Sequence, residues 1–150
     1  LDAVNHGIRF STAVNKADYN ALTAAGVALD FGTIITPDDY LAAAGKDFTA
    51  LADGNYIDVN STATGTDTFR EVKGEDNETY YFFCGSLTGI KAANYDWDYS
   101  AIGYVTIGEN TVYSANYATR NAAYVANAAY NDPDGGYTSD ELDIIRGYLQ

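Results

Sequence analysis

The side chains best suited to chemistry lie in one connector, Asn94 to Ser100. There the only tryptophan, Trp97, stands between Asp96 and Asp98 and, one residue further out, between Tyr95 and Tyr99. An indole ring stacks on the apolar face of a pyranose, while neighbouring carboxylates and amides hydrogen-bond its hydroxyls. Trp97, Tyr95, Tyr99, Asp96, Asp98 and Asn94 are therefore the candidate ligand contacts. The competing reading is a loop aromatic folded back on a sheet edge, and the position of the Trp97 ring decides between the two.

Other chemistries have less in their favour. Asp96 with Asp98, or Asp38 with Asp39, could be imagined as an acid/base pair for glycoside hydrolysis. Such pairs act across a cleft at separations of about 5 to 9.5 Å, and in a chain with 21 acidic residues mere adjacency says little. His6 is the only histidine and has no serine or cysteine motif around it, so a triad is unsupported. Cys84 is a single cysteine among aromatic strand residues and reads as a small buried hydrophobe, with no disulfide or CxxC pair to join.

The segment Tyr130 to Glu141 sets Asp132, Asp134, Thr138 and Glu141 at the third, fifth, ninth and twelfth places of a calcium loop. Tyr130 falls at the first place, where it cannot serve as the required ligand, and Pro133 stiffens the loop. An Asx-rich turn followed by a helix cap is the expected structure. No cofactor, metal or catalytic residue is assigned.

Composition limits the partners. The formal charge of -13, from 21 acidic against 8 basic residues, disfavours nucleic acid and anionic membrane surfaces, since both require a positive patch. No run reaches the roughly eighteen apolar residues of a membrane span. The 150 residues suit a single globular module, residues 1-150. A start at Leu1 and the lack of methionine suggest a piece of a longer protein, and the richness in Tyr, Asn, Thr and Gly suits a secreted or cell-surface setting.

The elements that must position the connector follow from local signals. Gly7 to Val14 alternates Ile8, Phe10, Thr12 and Val14 with Arg9, Ser11 and Ala13, the period of a half-buried strand. Asn15 caps a helix that runs to Ala24 and stops at Gly26, and Val27 to Ile35 is a second strand. Thr36 is the expected N-cap of a helix from Asp38 to Ala44, with Pro37 at its first position and Gly45 at its end. Tyr56 to Val59 and Tyr80 to Leu87 read as strands, and Tyr99 to Ile107 with Thr111 to Tyr117 as a hairpin turning at Gly108 and Asn110. The polar run from Asn60 to Glu78 is a loop or a pair of edge strands.

Thr119 to Tyr130 reads as a helix packing through Ala122, Val125, Ala126 and Ala129. Thr138 with Glu141 forms a capping box for a last helix striped by Leu142, Ile145 and Leu149. The sum is an α+β fold, a mainly antiparallel or mixed sheet of about five strands with short helices packed on it. Tyr81, Phe83, Ile102, Tyr104 and Val112 are then sheet residues, aromatic or branched for strand propensity and packing.

These stretches also carry a resemblance. GIRFSTAV, ADYNAL, FGTIITPDDYL, FTAL, YIDV, FFCGSLTGIKAANYDWDYSAIGYV and RNAAYVANAAYND, in this order, resemble a recurring module of large secreted and cell-surface proteins of anaerobic gut Firmicutes, ruminococci among them. The resemblance implies an extracellular setting beside carbohydrate-active modules and brings no catalytic residues with it. Such modules often carry a basic residue near Trp97 and an arginine near Ile102, which implies that the module's fold does not require either residue. Residues and resemblance together lead to the expectation of a non-catalytic polysaccharide-binding or adhesion module. The alternative is a structural or protein-docking module of a surface assembly.

Overall fold

The computed structural model describes residues 1, 7–61 and 69–149. His6 and residues 62–68 of the polar run lie outside them. The described residues form an α+β fold with eight strands and four short helices. The strands make two antiparallel sheets where the sequence suggests one. In the smaller, β5 (Thr79–Leu87) lies between β1 (Ile8–Asn15) and β4 (Arg70–Lys73). In the larger, β2 (Leu29–Pro37) and β6 (Tyr99–Ile107) form the centre, with β3 (Ile57–Asn60) beyond β2. β6 pairs with β2 along its whole length, so β7 (Asn110–Tyr113) and β8 (Ala118–Arg120) share its other side.

Local signals set most element ends. The Asn15 side chain accepts from the backbone N–H groups of Ala17 and Asp18 and caps α1 (Lys16–Ala24). The capping box forms at α4 (Ser139–Gly147), where hydrogen bonds from the Thr138 N–H and hydroxyl hold the Glu141 carboxyl below the usual glutamate range. Ahead of it, Asp132 accepts from the Asp134 N–H and makes the expected Asx turn.

Two expectations are corrected. Thr36 does not cap α2 (Asp38–Ala43): it is fully buried in β2 and its hydroxyl donates to the Asn55 carbonyl at 2.8 Å. The stretch from Thr119 does not open a helix, because Ala118–Arg120 is taken up as β8 on the edge of β6. α3 (Ala122–Tyr130) starts only after Asn121, whose side chain accepts from the Tyr124 N–H. Sheet pairing overrides helix propensity at Thr119 and Arg120.

The sheets meet face to face, and glycines let them approach. A Cβ on Gly85 of β5 would lie 2.5 Å from Thr33 Cβ of β2, and one on Gly103 of β6 would collide with the Thr12 side chain of β1. Beyond this contact, Ile8, Phe10, Ile35, Tyr99 and Ala101 pack against Ala122 and Ala126 of α3 and Ile145 and Tyr148 of α4. Tyr148, the residue that caps the end of α4, and not the more exposed Leu149, completes its inner stripe. At the other end, Phe31 and Phe83 join the rings of Tyr19, Phe69 and Tyr81. On the opposite face of the larger sheet, α2 packs over β2 and β6.

Thr33 is buried at this junction, and its hydroxyl oxygen has no hydrogen-bond partner among the described residues. Thr33→Val keeps the shape and removes the orphaned polar atom. A gain of about 1 kcal/mol is expected, or about 2–4 °C in Tm. An unchanged or lowered Tm in differential scanning calorimetry would show that the hydroxyl is satisfied.

Candidate functional site

Trp97 lies in the connector between β5 and β6, after a short 3-10 turn at Ala92–Asn94. Its N–H donates to the Asn94 carbonyl, and the residue is 52% exposed. The tryptophan is therefore not folded under a loop. It lines a cleft of about 370 Å³ together with Pro37, Asp38, Asp39, Tyr40, Asp96 and Asp98. That volume falls in the range of roughly 300–1,000 Å³ typical of small-ligand sites.

The two halves of the cleft come from segments almost sixty residues apart, joined by strand register. β2 and β6 pair with Pro37 opposite Tyr99, and just beyond that pair the Asp38 N–H donates to the Asp98 carbonyl at 2.9 Å. The register thus sets the first turn of α2, with Asp38, Asp39 and Tyr40, against the Asp96–Asp98 corner. Tyr40 is 47% exposed, so the cleft has a second accessible aromatic ring.

Two of the four lining carboxylates are fixed from behind. Ser100, fully buried, donates to Asp38 Oδ1 at 2.6 Å and lies 2.7 Å from the Thr119 hydroxyl on β8. Asn121 donates to Asp98 Oδ1 at 2.9 Å while its own oxygen caps α3. Among the described residues, the Asp39 and Asp96 side chains have no such partner. The cleft therefore offers two anchored and two unengaged acceptors around two aromatic rings, an arrangement suited to a ligand rich in hydroxyl donors.

Of the six residues singled out in the sequence, the structure brings Trp97, Asp96 and Asp98 into the cleft. The other three do not line it. Asn94 is half-buried, and Tyr99 is buried in the core, where burial pushes its phenol above the usual tyrosine range. Tyr95 stacks on Tyr148 with ring centroids 4.3 Å apart and packs on the core cluster. Strand alternation accounts for Tyr99, which shares the inner face of β6 with Ala101 and Gly103, whereas Tyr95, ahead of the strand, is held by its ring contact with Tyr148. Tyr40 has no place in the site read from the sequence, and Asp38 and Asp39 enter it only as an adjacent acidic pair. Only the β2–β6 pairing relates them to Trp97.

Asn121 joins cleft to helix, so Asn121→Ala is expected to remove the α3 cap at a cost of about 1 kcal/mol and to free the Asp98 side chain. Thermal melts check the first effect. The second is checked by ligand titration at a temperature well below the melt. Asn121→Ser, which keeps a cap acceptor but no donor long enough to reach Asp98, should retain most of the stability and still weaken binding.

No family model matches the chain, and no curated protein and no solved structure matches it.

Proposed function

We propose that this chain is a non-catalytic, extracellular carbohydrate-binding module of a larger polysaccharide-directed protein. The observation that carries this reading is the exposed Trp97 ring beside Tyr40 in a cleft whose other polar groups are carboxylates. The indole offers a stacking face for a sugar ring, and Asp38, Asp39, Asp96 and Asp98 accept from its hydroxyls. With so few contacts on a half-open surface, binding near -5 kcal/mol is expected, a Kd of about 200 μM. The resemblance to modules of secreted gut-bacterial proteins supports the extracellular placement.

Affinity electrophoresis on gels containing starch, xylan, β-glucan or pectin tests the reading. Retardation on at least one neutral polysaccharide is expected, and free migration on all four would defeat it.

A protein-docking module is the second reading, favoured by β7. All four of its residues are exposed at the edge of the larger sheet, with Val112 52% exposed, and such an edge can take up another strand. That reading would be preferred if Trp97→Ala kept every measured interaction.

A further inference from the structure

The outer face of the larger sheet, away from the smaller sheet, carries side chains that neither the core nor the Trp97 cleft uses. Residues on this face follow from the register: Asn60, Gly32, Tyr104 and Tyr113 lie side by side across β3, β2, β6 and β7. The row crosses three strand spacings, about 14 Å. Asp58 and Asp30 flank it on the same face, one on each side.

Tyr104 is held in an unusual posture. Its hydroxyl donates to Asp58 Oδ1 at 2.7 Å, although β2 runs between their two strands. To reach that far, the ring must lie along the sheet instead of standing on it. Gly32 makes the room, since a Cβ there would collide with Tyr104 Cζ, Oη and Cε1. A glycine inside a strand weakens it and marks a close approach, and here what approaches is an aromatic ring laid flat.

The neighbours are set in the same way. Asn60 donates from Nδ2 to both oxygens of Asp30, at 2.9 and 3.0 Å. The Tyr113 ring stands 6.1 Å from that of Tyr104 at an interplanar angle of 57°, and Tyr113 is 39% exposed. After these internal bonds the remaining capacity of the Asp30 and Asp58 carboxylates is all acceptor. No lysine or arginine lies in this row or flanks it. The face therefore complements a neutral, donor-rich ligand with apolar ring faces and repels an anionic one.

We propose that this surface is a second glycan-binding site, distinct from the Trp97 cleft, that takes a neutral oligosaccharide with one sugar ring stacked on Tyr104 and its neighbour against Tyr113. The 14 Å row accommodates about three sugar units. Two weak sites on one module would raise its avidity for long polysaccharides over short oligosaccharides without any tighter single contact.

The test is an amide NMR titration of the whole 150-residue chain with cellohexaose, xylohexaose, maltohexaose and hexagalacturonate. With at least one neutral hexaose, the Gly32, Asn60 and Thr106 amides are expected to shift, and to do so equally in Trp97→Ala. Hexagalacturonate should leave them in place. Tyr113→Ala, at an exposed edge, should weaken this titration at least tenfold with an unchanged Tm, and Tyr104→Phe, which frees the ring from Asp58, should weaken it severalfold. Shifts here with a silent Trp97 indole would retain this surface and remove the cleft. The proposal is overturned if no neutral hexaose moves these amides, if hexagalacturonate does, or if both tyrosine variants titrate like the parent chain.

Discussion

Replacing Trp97 with alanine is expected to weaken polysaccharide binding at the cleft about thirtyfold while leaving the fold intact. A buried anchor tryptophan contributes about 2 kcal/mol or more to an interface, which corresponds to about thirtyfold in Kd. From a starting Kd of about 200 μM the variant would bind only in the millimolar range, below detection by gel retardation. The fold should not suffer, because Trp97 is 52% exposed and its hydrogen bond to Asn94 runs through the backbone. Surface changes of this kind stay within about 0.5 kcal/mol.

Trp97 is also the only tryptophan, so emission excited at the red edge of the indole band, where the 14 tyrosines do not absorb, reports on the cleft. A ligand that retards the protein should shift that emission. A Trp97→Ala chain that folds normally and binds as tightly as its parent would end the cleft hypothesis. Tyr40→Ala should have a smaller effect in the same direction, since its ring has less stacking area.

Gly103→Ala is expected to destabilise the protein by about 1–3 kcal/mol, lowering Tm by roughly 3–10 °C. The added methyl would meet Oγ1, Cγ2 and Cβ of Thr12 together, so no rotation of Thr12 clears it. A β-branched side chain in a strand has little freedom at χ1 in any case. The alternative is for the two sheets to part, loosening the parallel contact of Gly85 with Thr33. Thr12→Gly should recover part of the loss, with a coupling above about 1 kcal/mol in a double-mutant cycle. Equal Tm values for Gly103→Ala and the parent would mean that the sheets do not approach as closely as described.

Legibility in the sequence follows the range of each interaction. The Asn15 cap, the Thr138–Glu141 capping box, the Asx turn at Asp132 and the strand alternation of β1 depend on residues a few positions apart, and all are present. Thr36 shows where such reading fails. Its residue type and position before Pro37 fit an N-cap, but the strand runs on through it and directs its hydroxyl to Asn55. Ala118–Arg120 fails for the same reason, since an open edge on β6 claims a segment whose own preference is ambiguous.

The sequence by itself determined the α+β class, the ends of most elements and the one connector with an unusual concentration of aromatic and acidic groups. Those properties are written in short-range periodicity and in side chains that bond to their own neighbouring backbone. Only the tertiary structure decided which way the connector faces, turning Tyr95 and Tyr99 into the core and leaving Trp97 outside. It also decided that Asp38, Asp39 and Tyr40 complete the cleft, and that Tyr104 lies flat over Gly32. A period of two separates the faces of a strand without saying which is buried, and register between strands far apart in sequence is set by the packing of the whole.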